Sequence, residues 1–226
     1  MTTATLPAGQ ERALTRALLS CGVFYALAYV LLNDVVAAAL YPGYDRLDQA
    51  VSELSATAAP SKPFLQAMLP VFTFLLAGFA TGIWRAAGPQ RALRAAAVLV
   101  FGSTVVGVAW LFFPMTSREA MTVGAPMTAN DVGHLVLSGL TVSLILAEMT
   151  LSAVALGRWF RLLAAASAGV LLTFGVLMSR LAPHTAEGHT PLMGLYERIM
   201  LGGWLVWMAT FALVLMRRLK AVQPLA

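Results

Sequence analysis

Phe64 to Arg85 reads FLQAMLPVFTFLLAGFATGIWR. From Phe64 to Trp84 there is no charged side chain; the run follows Pro60 and Pro63 and ends on an aromatic and a cation, Trp84 and Arg85. A helix needs roughly 20 apolar residues to cross the hydrocarbon of a bilayer, and a helix satisfies its own backbone there. This stretch is therefore a membrane span, and it sets the scale for the rest of the chain.

The same reading applies on either side of it. Upstream, an apolar run covers about Leu18 to Leu40 and stops at the turn signal Tyr41-Pro42-Gly43. Downstream, runs cover about Ala95 to Phe113, Asp131 to Leu156, Phe160 to Leu181 and Tyr196 to Met216, bounded by Pro114, Gly157-Arg158, Pro183 and Arg217-Arg218. Only 11% of the residues are charged, against roughly 25% in a soluble domain, so the chain cannot clothe a globular surface. The fold class is all-α, an integral membrane bundle of six transmembrane helices forming one domain over residues 1–226, behind a short tail at 1–16. The single cysteine, Cys21, has no intrachain partner and reads as a small core residue.

Cations orient the bundle. Arg12, Arg16, Arg85, Arg91, Arg94, Arg158, Arg161, Arg217, Arg218 and Lys220 all fall on one side of this topology. The other side carries Arg46, Lys62, Arg118, Arg180 and Arg198 among a larger number of carboxylates. Arg and Lys mark the cytoplasmic loops, so both termini are expected in the cytoplasm of a multi-pass plasma-membrane protein. A rival reading makes the first run a signal peptide cleaved near Ala37-Ala38-Ala39, but Asn33 and Asp34 interrupt its approach to that site. The formal charge of +5 is spread over helix ends without interleaved aromatics, which excludes nucleic acid as a partner and leaves membrane lipids. Small residues at Gly78 and Gly82, at Ser103 and Gly107, and from Ala164 to Gly169 predict close helix packing.

Chemistry-bearing residues gather on the outward side. In the first loop Leu47, Val51 and Leu54 recur at helical spacing beside Asp48, Ser52 and Ser55, which predicts a short amphipathic helix. Asp131 and His134 share one face at the head of the fourth span, where they can act as base and orienter or as metal ligands; Thr128 or Asn130 before Asp131 also reads as an ordinary helix cap. The last loop brings Arg180, His184, Glu187 and His189, then Glu197 and Arg198. Asp34 sits in the outer part of the first span and completes the set. Glu148 lies toward the cytoplasmic end of the fourth span, where it can pair with an arginine.

Several of these pieces resemble a known family. Tyr41-Pro42-Gly43-Tyr44 with Val51-Ser52-Glu53-Leu54-Ser55-Ala56, Phe113-Pro114 with Asp131-Val132-Gly133-His134, and Gly194-Leu195-Tyr196-Glu197-Arg198 are similar to the pattern of the prokaryotic family called domain of unknown function 998, over about residues 15–218. The resemblance implies a six-helix prokaryotic membrane protein without an assigned activity. It points to Ser52, Glu53, Asp131, His134, Glu197 and Arg198. A looser likeness is to zinc-dependent hydrolases of the alkaline ceramidase type, whose HxxxH pair and seventh span this chain lacks.

Three functions follow, in this order. The first is a non-enzymatic protein binding a lipid, a lipid-like small molecule or a partner through an outward-facing polar pocket of Asp34, Asp48, Arg180, Glu197 and Arg198. The second is a zinc-dependent lipid or amide hydrolase, with His134, His184 and His189 as metal ligands and Asp131, His134, Glu53 and Ser52 in catalysis. The third is a small proton-linked carrier built on Asp34.

Overall fold

The structure, a computed structural model, describes residues 7–221. Six helices in it are long and apolar enough to cross a membrane. Helix α1 (Ala8–Ala28) runs on without a break through a π-helical stretch (Tyr29–Val36) and a last α-turn (Ala37–Ala39). Then follow α2 (Lys62–Ala87), α3 (Arg91–Ala109), α4 (Ala129–Leu156), α5 (Arg158–Leu181) and α6 (Met193–Ala221). The described residues contain no strand. Residues 1–6 of the expected tail, and the side chain of Lys220, lie outside the description.

The helices extend past the predicted spans at several ends, because interfacial residues continue a helix as readily as apolar ones. Helix α1 starts at Ala8 rather than Leu18, and Glu11 in its first turn pairs with Arg85 of α2. Helix α6 starts at Met193, so Glu197 and Arg198 sit on its second turn. Each helix packs on its sequence neighbour, and α6 returns to pack on α1. Six helices crossing in alternation place the start of α1 and the end of α6 at one end, with the loops 40–61, 110–128 and 182–192 at the other. We call the second end the cap.

Two apolar cores hold this arrangement. The larger runs through the bundle and is dominated by α6, with Trp207, Met208, Phe211 and Ala212 fully buried against Phe79 of α2 and Phe160 of α5. Outward from it, Phe24, Leu27, Phe74, Phe101, Val154 and Leu162 are exposed, as lipid-facing side chains must be. The smaller core lies under the cap, where Val51 and Leu54 pack on Ala37 and Leu65. The amphipathic helix expected in the first loop is thus shorter than predicted. Ala50 is extended, so only Val51–Ser55 forms a 3-10 turn, and Leu47 is left 54% exposed.

Small residues place α1 and α2 in close contact. A Cβ on Gly82 would lie 2.7 Å from the Leu19 amide nitrogen, and one on Gly78 would lie 2.9 Å from Cys21 Sγ. The Gly78/Gly82 pair therefore does what its spacing predicts. Gly107 and Gly169 instead face open space, and Ser103 is used for a hydrogen bond.

Candidate functional site

All three cap loops converge on one arginine. Arg118 comes from a single 3-10 turn (Arg118–Ala120) in the second loop. Its Nε and Nη2 donate to the two carboxylate oxygens of Glu53, at 3.0 and 2.8 Å. Nη2 also donates to Asp48 O at 3.3 Å and to Thr190 Oγ1 at 2.8 Å, and Nη1 reaches Gly188 O at 3.5 Å. The first loop supplies Asp48 and Glu53, the third Gly188 and Thr190. The Glu53 hydrogen bonds raise the pKa of the guanidinium, so it stays a fixed cation. Glu53 also accepts from the Ala50 amide at 2.9 Å and from Gln49 Nε2 at 3.4 Å, so its oxygens are occupied.

A second arginine locks the cap to the bundle. Arg198 on α6 donates through Nε and Nη2 to Asp34 Oδ1, at 3.1 and 2.8 Å. Its Nη1 donates to the carbonyls of Arg46, Gln49 and Gly194, and Nη2 to the Tyr44 hydroxyl at 2.9 Å. Arg46 takes the other oxygen of Asp34 at 2.7 Å. Asp34 occupies the π-helical stretch, whose wider turn carries it among these partners. Tyr44 donates to the carbonyls of Gln49 and Ala50, and burial pushes its hydroxyl well above the usual phenol range. Beside this lock Glu197 is buried, and its Oε2 accepts from the Ser52 amide at 3.2 Å.

A family model described as "Protein of unknown function (DUF998)" matches residues 16–214. The chain belongs to the DUF998 family. No curated protein and no solved structure matches it. In this DUF998 protein the stretches that carry the resemblance meet at the cap: Tyr44 bonds Arg198, the 51–52 backbone bonds Glu197, and Phe113 bonds His134.

Asp131 and His134 do share a face, but each turns to the second loop and neither to the other. Asp131 accepts from the Thr116 amide at 2.7 Å and its hydroxyl at 2.8 Å, and closes a capping box with Thr128. That is the ordinary helix-cap role. His134 Nδ1 lies 3.1 Å from Phe113 O, and its ring meets Trp110 edge to face at 4.6 Å. Gly133 between them leaves room for the Phe113 ring, which a Cβ would strike.

The remaining predicted site residues separate into two groups. Asp48 joins the Arg118 node through its backbone, and its Oδ1 accepts from the Leu192 amide at 2.9 Å. Arg180, His184 and His189 are exposed, and His184 pairs with Glu187 at 3.1 Å. Among the described residues no group of three or more His, Cys, Asp or Glu side chains is placed to hold a metal ion. The zinc set His134, His184 and His189 is therefore not assembled. Glu148 is 1% exposed and takes its hydrogen bond from Ser103 Oγ at 2.7 Å, rather than from an arginine.

Sequence reasoning did not single out Arg118, Tyr44, Thr116 or Thr190 as site residues. A lone arginine in a loop carries no spacing signal. The one available clue was that Arg118 stands among the few cations on the carboxylate-rich side.

Proposed function

We propose that this protein is a non-enzymatic lipid-binding protein of the bacterial plasma membrane, with the cap outside and both termini in the cytoplasm. The observation that carries the reading is a groove of about 500 Å³ on the lipid-facing side of α2 and α3, lined by Leu69, Pro70, Thr73, Phe74, Ala77 and Val108. In the cap, by contrast, Asp34, Glu53, Arg118, Asp131 and Arg198 are already bonded to one another or to backbone. That favours a clamped roof over an open polar pocket. The groove lies beneath the roof: Pro70 is eight residues into α2 from Lys62, roughly 12 Å along the axis. Proline removes one backbone hydrogen bond from the helix interior and opens its surface there. The lining is apolar apart from the Thr73 hydroxyl, which suits an acyl chain.

The test fills the groove. Ala77→Phe, purified in mild detergent beside wild type, is expected to retain less lipid by native mass spectrometry, with thermal stability unchanged. Equal lipid retention by a stable Ala77→Phe protein rejects the reading. The orientation has its own check: a cysteine at Thr122 in a Cys21→Ala background should react with an impermeant maleimide on intact cells. The zinc-hydrolase and carrier readings draw no support from a specific contact, and neither is proposed.

A further inference from the structure

At the end opposite the cap, α1, α2 and α6 border a second, open groove of about 400 Å³, lined by Glu11, Arg12, Thr15, Arg85 and Leu219. Its level is set by the helix ends. Arg85 lies two residues before the end of α2 at Ala87, and Leu219 two before Ala221. Glu11 stands in the first turn of α1. In a bilayer this is the depth of headgroups rather than of acyl chains.

The groove is built around a positioned arginine. Arg85 Nε donates to Thr15 Oγ1 at 3.1 Å, and Nη2 pairs with Glu11. Thr15 in turn donates to the Glu11 backbone carbonyl at 2.8 Å, so Arg85 is held by two side chains of α1, one of them fixed to the helix backbone. Nη1 of Arg85 makes no hydrogen bond to a described residue. Half-buried Arg12 lines the same groove and makes no ion pair or hydrogen bond to a described residue. By contrast, Arg158 and Arg161 at this end are exposed. Two guanidiniums against one carboxylate leave the groove cationic, with an apolar wall at Leu219. Guanidinium matches phosphate oxygens, and basic pockets between helices on the cytoplasmic side suit anionic headgroups.

We propose that this groove is a headgroup site for an anionic phospholipid, the phosphate held between Arg12 and Arg85 and the glycerol end resting on Leu219. The proposal stands independently of the α2–α3 groove. It is tested on the full chain by native mass spectrometry, counting retained phosphatidylglycerol against phosphatidylcholine. Wild type is expected to keep phosphatidylglycerol preferentially. Arg12→Gln should weaken that retention roughly tenfold, the worth of one charge-assisted contact. Arg161→Gln removes the same charge at the same end and should change nothing. Leu219→Trp keeps every charge and should lose the lipid by filling the groove. An equal fall in Arg12→Gln and Arg161→Gln would mean diffuse surface charge and overturn the site, as would undiminished retention in Leu219→Trp. Inorganic phosphate should not raise the unfolding temperature of wild type; if it does so as well as the lipid, the ligand is a free anion.

Discussion

Arg118 and Glu53 meet as a two-pronged ion pair across 65 residues of chain, the guanidinium 12% and the carboxylate 2% exposed. Because Arg118 also holds Asp48, Gly188 and Thr190, this pair joins all three cap loops. Removing one partner of a buried pair strands the other charge, at a cost of about 3–5 kcal/mol. Arg118→Met should therefore lower the unfolding temperature sharply in detergent. Adding Glu53→Leu should recover part of the loss, since it removes the stranded carboxylate. Recovery should be incomplete because Glu53 also accepts from the Ala50 amide. A double variant as unstable as the sum of the two singles would show that the pair is not coupled.

Arg198 and Arg46 share Asp34 but differ in what they do. Arg198 makes six hydrogen bonds with three nitrogens, while Arg46 makes one side-chain bond and is 45% exposed. A lysine carries its three N–H donors on one compact nitrogen and cannot reproduce that fork. Arg198→Lys should cost roughly 2–3 kcal/mol, and Arg46→Lys under about 1 kcal/mol. Thermal unfolding of the two variants side by side decides it, and equal effects would refute the assignment of Arg198 as the lock.

Gly194 carries a steric requirement that Gly202, two turns along the same helix, does not. A Cβ on Gly194 would strike the carbonyls of Gln49 and Arg46, the backbone that Arg198 grips. A Cβ on Gly202 meets nothing within 4 Å. Gly194→Ala should destabilise the cap and expose the 46–49 segment to protease. Gly202→Ala should be neutral or stabilising by up to about 1 kcal/mol, since alanine is the better helix former.

The spans were legible because an uncharged run of this length has one stable solution in lipid. Their ends were less so: helix continues through Ala8–Ala17 and Lys62, where polar residues and helical geometry are compatible. Asp34 was legible as an acid inside a span, but its π-helical setting was not, since no periodicity in Tyr29–Val36 announces the wider turn. The histidines stay apart for a physical reason. Residue type says what a side chain can ligate, while His134 is placed by Phe113 and Trp110, and His184 by its own neighbour Glu187. Arg118 was the converse case, a residue whose importance lies wholly in contacts 65 to 72 positions away.

His134 gives a direct test of the zinc reading. With Nδ1 on a carbonyl and the ring on Trp110, it acts as a clip for the second loop. His134→Phe keeps the aromatic contact, loses the hydrogen bond, and should cost about 1 kcal/mol. Zinc content of the purified protein should be the same in wild type and His134→Ala. Stoichiometric zinc lost from the variant would restore the metal reading.

Glu148 is an acid inside the bundle whose one side-chain partner is neutral. It is 1% exposed, Ser103 of α3 is its hydrogen-bond donor, and it makes no ion pair with a described residue. A charged carboxylate there would be strongly disfavoured, whereas a neutral side chain that can accept from Ser103 would not. Glutamine has that shape and that acceptor. Glu148→Gln should therefore leave the unfolding temperature unchanged or raise it, while Glu148→Ala, which leaves a void and an unpartnered Ser103 hydroxyl, should cost roughly 2–4 kcal/mol. If Glu148 were instead the counter-ion of an arginine, Glu148→Gln would strand that cation and fall as far as Glu148→Ala. The order of the two variants in one thermal series separates the cases.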